Sequence, residues 1–333
     1  MNQTTASAAE SPKNGTEGKS FLQEAGECWR AMPDKALFLS LLGGWLLLFQ
    51  FLGNATFGYV NTPSMFHWMY TSYNKPPSED GHGNLIPFVV LALFWWKRGE
   101  LLAVPKRTWW PGLLIVFAAL LLHVCAYVVQ QPLPSLVAMF AGIYGLMGLV
   151  WGPAWLRACA FPYFLFAFSL PMGTNIDPLT LRLRLLVTMI VSWISNGLFG
   201  LDVVRQGTQL FDSQHSFQYE VAAACSGIRS LVAIIAMATI YSFVAFGSWW
   251  KRAVMMLSAF PLAVASNVFR MMFIVITAEA FGQQAGNYVH ESQIFSLLPY
   301  IPGIVGLILL ERWLKADATP RERGRSEAVV KTS

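Results

Sequence analysis

Residues 111–130, PGLLIVFAALLLHVCAYVVQ, and residues 133–151, LPSLVAMFAGIYGLMGLVW, are two apolar runs without a single Lys, Arg, Asp or Glu. A helix of about 20 apolar residues crosses the roughly 30 Å hydrocarbon core of a bilayer. Only Gln131 and Pro132 separate the two runs. The stretch therefore predicts two transmembrane helices joined by a tight turn.

Apolar runs of this kind recur along most of the chain, from Ala36 to Trp313. The 333 residues are 55% hydrophobic and 12% charged, whereas soluble domains carry roughly 25% charged residues. The mean hydropathy of +0.48 thus does not come from one segment. This pattern excludes a soluble enzyme with a single anchor and predicts an all-α membrane protein with many spans.

Eight of the apolar runs are acceptable as transmembrane helices, although the second and the fifth are short. They cover residues 36–53, 85–97, 111–130, 133–151, 156–171, 228–248, 253–279 and 296–314. A ninth helical segment, residues 179–200, is only partly apolar and opens with Arg182 and Arg184.

The basic residues indicate which loops face the cytoplasm, since cytoplasmic loops are enriched in Lys and Arg. Residues 97–107 and Arg157 place the second and fourth loops there. If residues 179–200 crossed the membrane, residues 251–252 and the basic carboxyl-terminal tail would lie outside. An amphipathic helix in the outer interface keeps both in the cytoplasm. We therefore predict eight transmembrane helices plus one interfacial helix on the outer face.

The two ends of the chain are polar. Residues 1–34 contain too little apolar surface to fold and are predicted to be a disordered cytoplasmic tail. Residues 315–333 are predicted to be a basic cytoplasmic tail, which leaves 35–314 as the transmembrane domain. The net charge of +5 comes mostly from clusters beside the spans. The expected partner is therefore the lipid bilayer and not a nucleic acid.

The strongest indication of a site is the stretch Glu220-Val-Ala-Ala-Ala-Cys225-Ser226-Gly227-Ile228-Arg229, which leads into a transmembrane helix. A thiol at a helix amino terminus has its thiolate stabilised by backbone N–H groups and the helix dipole. Ser226 can cap the helix, and Gly227 permits a close approach. A purely structural alternative is a patch of small residues that packs against another helix.

The span 253–279 contains Asn267 and Arg270 in an otherwise apolar sequence. A charge there costs about 2.5 to 3.5 kcal/mol on insertion. Arg270 follows Arg252 by 18 residues, or about 27 Å of helix. This places Arg270 near the outer boundary, at the depth expected for Cys225. The structural alternative is that Arg270 reaches the headgroups or pairs with a carboxylate.

His290 stands in an outer loop just before the last span, where an imidazole can exchange protons near pH 7. A solvated loop histidine is the structural alternative. The sequence after His290 does not match the HExxH pattern of zinc proteases. The other outer histidines, at positions 67, 82 and 215, have no metal-ligand spacing with Cys225. We expect no metal and no cofactor.

A nucleophile, a fixed cation and an acid or base at one depth form a set for acyl transfer by cysteine. In this interpretation Cys225 attacks a carbonyl, Arg270 stabilises the oxyanion and His290 protonates the leaving amine. Two readings from other classes remain open. One is a transporter or flippase whose path is lined by Arg270 and Asn267, and the other is a non-catalytic envelope assembly factor.

Three stretches in this order resemble the exosortase/archaeosortase family of membrane cysteine transpeptidases. They are Ala224 to Leu231, Asn267 to Arg270, and His290 before the final span. The segment Asp80-Gly-His-Gly-Asn-Leu-Ile-Pro87 is similar to the family's outer segment that enters the second span. The resemblance covers about residues 80–315 and implies eight spans.

The resemblance also implies roles and partners. It implies that Cys225 is the nucleophile and that Arg270 and His290 complete the triad. Its expected substrates are exported proteins with a carboxyl-terminal sorting signal, made of a short motif such as Pro-Glu-Pro, a transmembrane helix and a basic tail. The enzyme would act at the outer face of a bacterial inner membrane and pass the cleaved protein to an acceptor. We expect supporting or substrate-binding roles for Ser226, Gly227, Arg229, Asn267, His82 and Glu220.

Overall fold

The computed structural model of the chain describes residues 20–53, 62–74, 80–172, 177–212, 218–220, 228–292, 294–298 and 300–316. Within these ranges most residues are helical. The α-helices of the first half are α1 Phe21–Ala31, α2 Lys35–Phe51, α3 Met65–Asn74, α4 Ile86–Trp96, α5 Arg98–Ala103, α6 Gly112–Val128, α7 Pro132–Trp151 and α8 Pro153–Phe164. Those of the second half are α9 Asp177–Leu198, α10 Ile228–Ala245, α11 Trp249–Phe281, α12 Gln283–Glu291 and α13 Tyr300–Ala316. Short 3₁₀ helices occupy Gly81–Asn84, Leu165–Ser169 and Phe295–Leu297.

Each apolar run of the sequence coincides with a helix, and the expected all-α membrane architecture is confirmed at this level. The run 156–171 is divided into α8 and the 3₁₀ helix Leu165–Ser169. The run 296–314 begins with a 3₁₀ turn, and its α-helix starts at Tyr300. The partly apolar segment 179–200 is α9.

Three described helices are long and apolar enough to cross a membrane: α7, α11 and the part of α9 from Leu181 to Leu198. A fourth span results if α1 and α2, which are bent by 92° at their junction, count together. Ile86–Trp96, Gly112–Val128 and Leu231–Ala245 are shorter apolar helices. The number of eight spans therefore stays a prediction.

The helix α1 lies within the segment 1–34 that the sequence predicted to be disordered, so for residues 20–31 the structure differs from that expectation. Phe21 contacts the ring of Trp95, with 4.7 Å between ring centroids. The carboxylate of Glu24 forms an ion pair with the guanidinium of Arg98, with 2.9 Å between oxygen and nitrogen. The helix forms because one of its faces contacts α4 and α5. Amino-acid composition alone does not reveal these contacts. Residues 1–19 lie outside the described ranges.

The first half of the fold is centred on α6 and α7, which approach each other at small residues. A Cβ atom added to Gly112 would lie 2.5 Å from the backbone nitrogen of Leu149. One added to Gly145 would lie 2.9 Å from a methyl group of Val116. Such contacts allow helices to pack closely in lipid. The paired spans predicted for 111–130 and 133–151 therefore form one helical hairpin.

The second half is built around α11, a helix of 33 residues that is about 50 Å long at 1.5 Å per residue. At its amino-terminal part, Met255 and Ala259 share a buried cluster with Ile234 of α10 and Leu307 of α13. At its carboxyl-terminal part, α11 packs against α9 through a separate cluster. The carboxyl-terminal part of α11 thus carries the elements that surround Arg270.

A small antiparallel sheet, β1 Val203–Gln206, β2 Gln209–Asp212 and β3 Gln218–Glu220, follows α9. The sequence analysis did not predict it. The turn between β1 and β2 has Gly207 at a φ of +61°, which suits a two-residue hairpin loop. Asn196 of α9 bonds to both backbone polar groups of Val203, at 2.8 Å and 2.9 Å. The sheet is therefore fixed to α9.

Candidate active site

Arg270 is held by α11, which continues without interruption from Trp249 to Phe281. This agrees with the predicted span 253–279 and with the helical distance used to place Arg270. The side chain is half-buried. Asn267 lies one turn earlier and is buried, with 2% of its surface exposed. The two polar residues of this span are thus neighbours on the helix.

Arg270 is joined to the segment that carries His290. Its Nη2 atom donates a hydrogen bond of 3.3 Å to the backbone carbonyl oxygen of His290. Its Nε atom is buried and has no hydrogen-bond partner among the described residues. A buried N–H without a partner is costly, and an oxygen or thiolate bound beside it would satisfy it. Two of the three predicted catalytic residues are therefore adjacent.

His290 lies near the end of α12, which the sequence interpretation had treated as a loop. The chain turns between α11 and α12 at Gly282, whose φ of +85° belongs to the left-handed region that favours glycine. The Gly282 N–H donates to the carbonyl oxygen of Ala278 over 2.8 Å and closes the end of α11. Because of this turn, α12 folds back along α11 and brings His290 to Arg270.

Gln283 connects α12 to the sheet. Its side-chain oxygen accepts a 2.8 Å hydrogen bond from the backbone nitrogen of Gln218, and its amide nitrogen donates to the carbonyl oxygen of Gln218 over 3.3 Å. The same nitrogen donates to Asn287 over 2.9 Å. Sequence reasoning did not single out these glutamines, since no local pattern pairs residues 65 positions apart. The strand that ends at Glu220 is thereby attached to the helix of His290.

Cys225, Ser226 and Gly227 lie outside the described residues. The elements on either side of them are described. Glu220 is the last residue of β3, and Arg229 is the second residue of α10. The first turns of α10 belong to the core, because Leu231 is buried in the cluster shared with α11. The structure thus describes both flanks of the Cys225 stretch.

His82 belongs to a different part of the molecule. It lies in the 3₁₀ helix Gly81–Asn84, and its Nδ1 atom is buried. The preceding Asp80 accepts a 3.2 Å hydrogen bond from the backbone nitrogen of Met172. Tyr73 donates from its hydroxyl to the carbonyl oxygen of Ser169. The segment of His82 is therefore attached to the end of the 165–172 stretch. Within the described ranges it packs mainly against α3, this stretch and α4, and not against α11 or α12.

The hydroxyl of Tyr73 remains a donor at any physiological pH. Burial raises the pKa of Tyr73 above its usual value, because the charged phenolate is disfavoured away from water. Gly83 lies against the same ring, and a Cβ there would come within 2.5 Å of it. Tyr73 thus holds the segment before α4 through its hydroxyl and through its ring.

Among the described residues, no three His, Cys, Asp or Glu side chains cluster as metal ligands do. Of the described cysteines, Cys159 is buried, Cys28 is half-buried and Cys125 is exposed on α6. Burial shields Cys159 from reagents. Cys125 is therefore the natural reference thiol for experiments on Cys225.

One comparison with known proteins identifies a family. Residues 74–298, about two thirds of the chain, match the sequence profile described as transmembrane exosortase (Exosortase_EpsH). The matched region includes Cys225, Arg270 and His290. Neither the curated proteins nor the solved structures provided a match. The chain therefore belongs to the transmembrane exosortase family, whose members are membrane enzymes that process sorting signals, generally as proteases or transpeptidases.

Proposed function

We propose that this protein is a cysteine transpeptidase of a bacterial inner membrane that cleaves the carboxyl-terminal sorting signal of exported proteins at the outer face. The observation that carries the proposal is the hydrogen bond between Arg270 and the His290 backbone. It brings together the cation and the acid-base group that the mechanism requires. The position of β3 against α12 adds support, because β3 ends five residues before Cys225.

The proposed reaction proceeds through a thioester. The Cys225 thiolate attacks the scissile carbonyl carbon, and the carbonyl oxygen becomes an oxyanion. The C–N bond breaks as the His290 imidazolium gives its proton to the leaving amine. The acyl group then remains on Cys225. An acceptor nucleophile, or water, gives its proton to His290, attacks the thioester and releases the thiolate.

We assign to Arg270 the stabilisation of the negative charge that forms on the carbonyl oxygen in this reaction. A guanidinium presents five donors in a rigid plane, and at Arg270 one of them already holds the His290 segment. The buried Nε lacks a partner among the described side chains. Donors held in advance near a developing oxyanion lower its free energy more than water does, because they need no reorganisation.

The packing of α9 supports its placement in the outer interface. Its buried residues Val187 and Val191 contact the part of α11 around Met271 and Val275. That part lies about 30 Å of helix beyond Arg252. The sheet is fixed along α9, and Arg205 on β1 is exposed. An open sheet edge with an exposed arginine does not occur in hydrocarbon, so a spanning α9 is disfavoured.

Three cations that line one cavity support the assignment of the cytoplasmic side. Lys97 at the end of α4, Arg157 in α8 and Arg252 in α11 line this cavity, and all three are predicted to be cytoplasmic by their charge. Their proximity in the fold fits one shared side. We propose eight spans, with residues 1–34 and 315–333 in the cytoplasm and 35–314 as the transmembrane domain.

The test is co-expression with a sorting-signal protein encoded in the same genome. Wild type is compared with Cys225→Ala and with Cys125→Ala, which removes an exposed thiol of α6. We expect cleavage by wild type and Cys125→Ala only. Mass spectrometry should detect a thioester-linked fragment on Cys225. Cleavage that persists in Cys225→Ala would refute the cysteine mechanism and favour the transporter or assembly-factor interpretations.

A further inference from the structure

A cavity of about 900 Å³ lies on the side of the fold remote from Arg270. Its walls come from α4, α5, α7, α8, the 3₁₀ helix Leu165–Ser169, α10 and α11. Neither Arg270 nor His290 lines it. The proposed proteolytic function makes no use of this cavity.

One end of the cavity is basic. Lys97 donates from Nζ to the carbonyl oxygen of Ala158 over 2.8 Å, which places it beside Arg157. The Arg252 guanidinium lies over the ring of Phe243 at 4.4 Å. The Phe243 ring is stacked on Phe161 with 3.9 Å between centroids, and Phe161 is one helical turn after Arg157. Lys97, Arg157 and Arg252 therefore surround one opening of the cavity, which we call the mouth.

The mouth keeps an excess of positive charge. Among the described residues that line the cavity, Glu100 is the only acidic one, and it pairs with Lys97 at 3.0 Å. Arg157 and Arg252 each use Nε for a backbone carbonyl, at 3.3 Å and 2.7 Å. These bonds fix the guanidiniums and leave their terminal nitrogens without a described protein acceptor. Two guanidinium groups held in fixed positions are therefore suited to bind an anion such as a phosphate.

The rest of the cavity is an aromatic shaft. Phe140 and Phe166 are stacked at 4.8 Å, and the rings of Tyr144 and Tyr163 lie 5.1 Å apart. The hydroxyls of both tyrosines are used by backbone carbonyls, at 2.8 Å and 2.6 Å. These rings therefore offer apolar faces to the shaft. An aliphatic chain is a suitable occupant of such a space.

The length of the aromatic shaft is comparable with the hydrocarbon thickness of one bilayer leaflet. Eight of the lining residues lie on one chain segment, which runs from Arg157 at the mouth to Leu170. The α-helical part of this segment rises about 1.5 Å and the 3₁₀ part about 2 Å per residue, which gives roughly 20 Å. Half of a hydrocarbon core is about 15 Å. A headgroup at the mouth therefore allows an acyl chain to fill the shaft.

We propose that this cavity binds an anionic phospholipid of the cytoplasmic leaflet, with the phosphate at Arg157 and Arg252 and an acyl chain in the aromatic shaft. Basic pockets between transmembrane helices on the cytoplasmic side recognise anionic headgroups. Charge selects against a basic peptide tail, because the mouth already carries unpaired arginines. An anionic amphiphile matches both the charge at the mouth and the apolar shaft.

The test measures lipid binding by the purified full-length protein in detergent, using native mass spectrometry. Phosphatidylglycerol and phosphatidylcholine with the same acyl chains are titrated separately. The variant Arg157→Gln/Arg252→Gln is compared with Arg30→Gln/Arg312→Gln, which removes two cations that do not line the cavity. Each arginine near an anionic headgroup contributes about fivefold in affinity. We expect the cavity variant to lose at least about tenfold for phosphatidylglycerol and the control variant to bind as wild type does.

A second variant, Ala167→Trp, fills the shaft and retains the charges. It should weaken the binding of both lipids. If Arg252→Gln impairs folding, Arg157→Gln alone, at an exposed position, should still lose about fivefold. Equal binding of the two lipids by wild type would overturn the proposal. So would equal phosphatidylglycerol binding by the cavity and control variants. Either result leaves the proteolytic proposal unaffected, because cleavage is measured separately.

Discussion

Arg270 donates to the backbone carbonyl oxygen of His290, 20 residues further along the chain, over 3.3 Å. The acceptor is the main chain, so this contact holds the end of α12 against α11 without using the imidazole ring. A change of the His290 side chain therefore leaves the contact in place. A change of Arg270 alters both the contact and the local charge. The two residues can for this reason be tested separately.

Arg270→Lys should reduce cleavage of a sorting-signal substrate by about 10²- to 10³-fold, the range for loss of one oxyanion donor. An ammonium keeps the charge, but it lacks the planar set of donors with which Arg270 can hold the His290 carbonyl and an oxyanion together. The rate is measured in membrane vesicles. Arg205→Lys, on the exposed strand β1, is the control and should cleave normally. Full activity of Arg270→Lys would remove the proposed oxyanion role.

His290→Ala should lower the cleavage rate by about 10²- to 10⁴-fold, which is the usual contribution of general acid–base catalysis. The thermal midpoint of unfolding should change little, since the Arg270 contact uses the backbone of residue 290. His67→Ala, at an exposed position on α3, serves as the matched control. An active His290→Ala enzyme would assign the proton transfer to another group.

Gln283→Leu should release β3 from α12, because it removes both hydrogen bonds to Gln218. Exposed bonds of this kind contribute about 1 kcal/mol together. Hydrogen exchange of a peptide that contains residues 218–220 should accelerate about fivefold, since local opening governs exchange. Gln284→Leu, at the exposed neighbouring position, should show the wild-type rate. Equal exchange in the two variants would contradict the proposed attachment.

Gly112→Ala should destabilise the α6–α7 hairpin. The added Cβ would lie 2.5 Å from the backbone of Leu149, which cannot move independently of its helix. Overpacking of this kind costs about 1 to 3 kcal/mol. Gly43→Ala in α2, where a Cβ meets nothing within 4 Å, should be neutral or stabilising because alanine favours helices. Thermal unfolding in detergent measures both, and an unchanged midpoint for Gly112→Ala would show that the helices can separate without cost.

Local patterns were sufficient for the apolar helices and insufficient for α1, α12 and the sheet. The run 253–279 was recognised because its apolar residues continue for more than a membrane thickness, and α11 covers it. The strands β1 to β3 were missed because short polar segments carry little periodicity. Their stability depends on Val203 and Leu210, which are buried against α9 and α11. For α1, the decisive contacts are with Trp95 and Arg98 of the second predicted span and loop.

The sequence likewise indicated some residues of the candidate site and missed others. The sequence indicated Arg270 because a charge in an apolar helix is costly and needs a function or a partner. It could not indicate the Gln218 and Gln283 pair, since amides occur on many exposed surfaces. Cys225 lies outside the described residues, and its role as the nucleophile stays a prediction. The match to the exosortase family over residues 74–298 confirms the resemblance that its motif carried.

The sequence by itself determined that the chain is a helical membrane protein, where its apolar helices lie and that Arg270 is a costly charge within one of them. These properties depend on neighbouring residues, because the hydrophobic free energy of a helix is a sum over its own side chains. Only the tertiary structure decided that Arg270 meets the His290 backbone and that Arg157 and Arg252 share one basic mouth. Contacts between such distant positions depend on how the helices pack, and packing is decided by the shapes of all the facing side chains together.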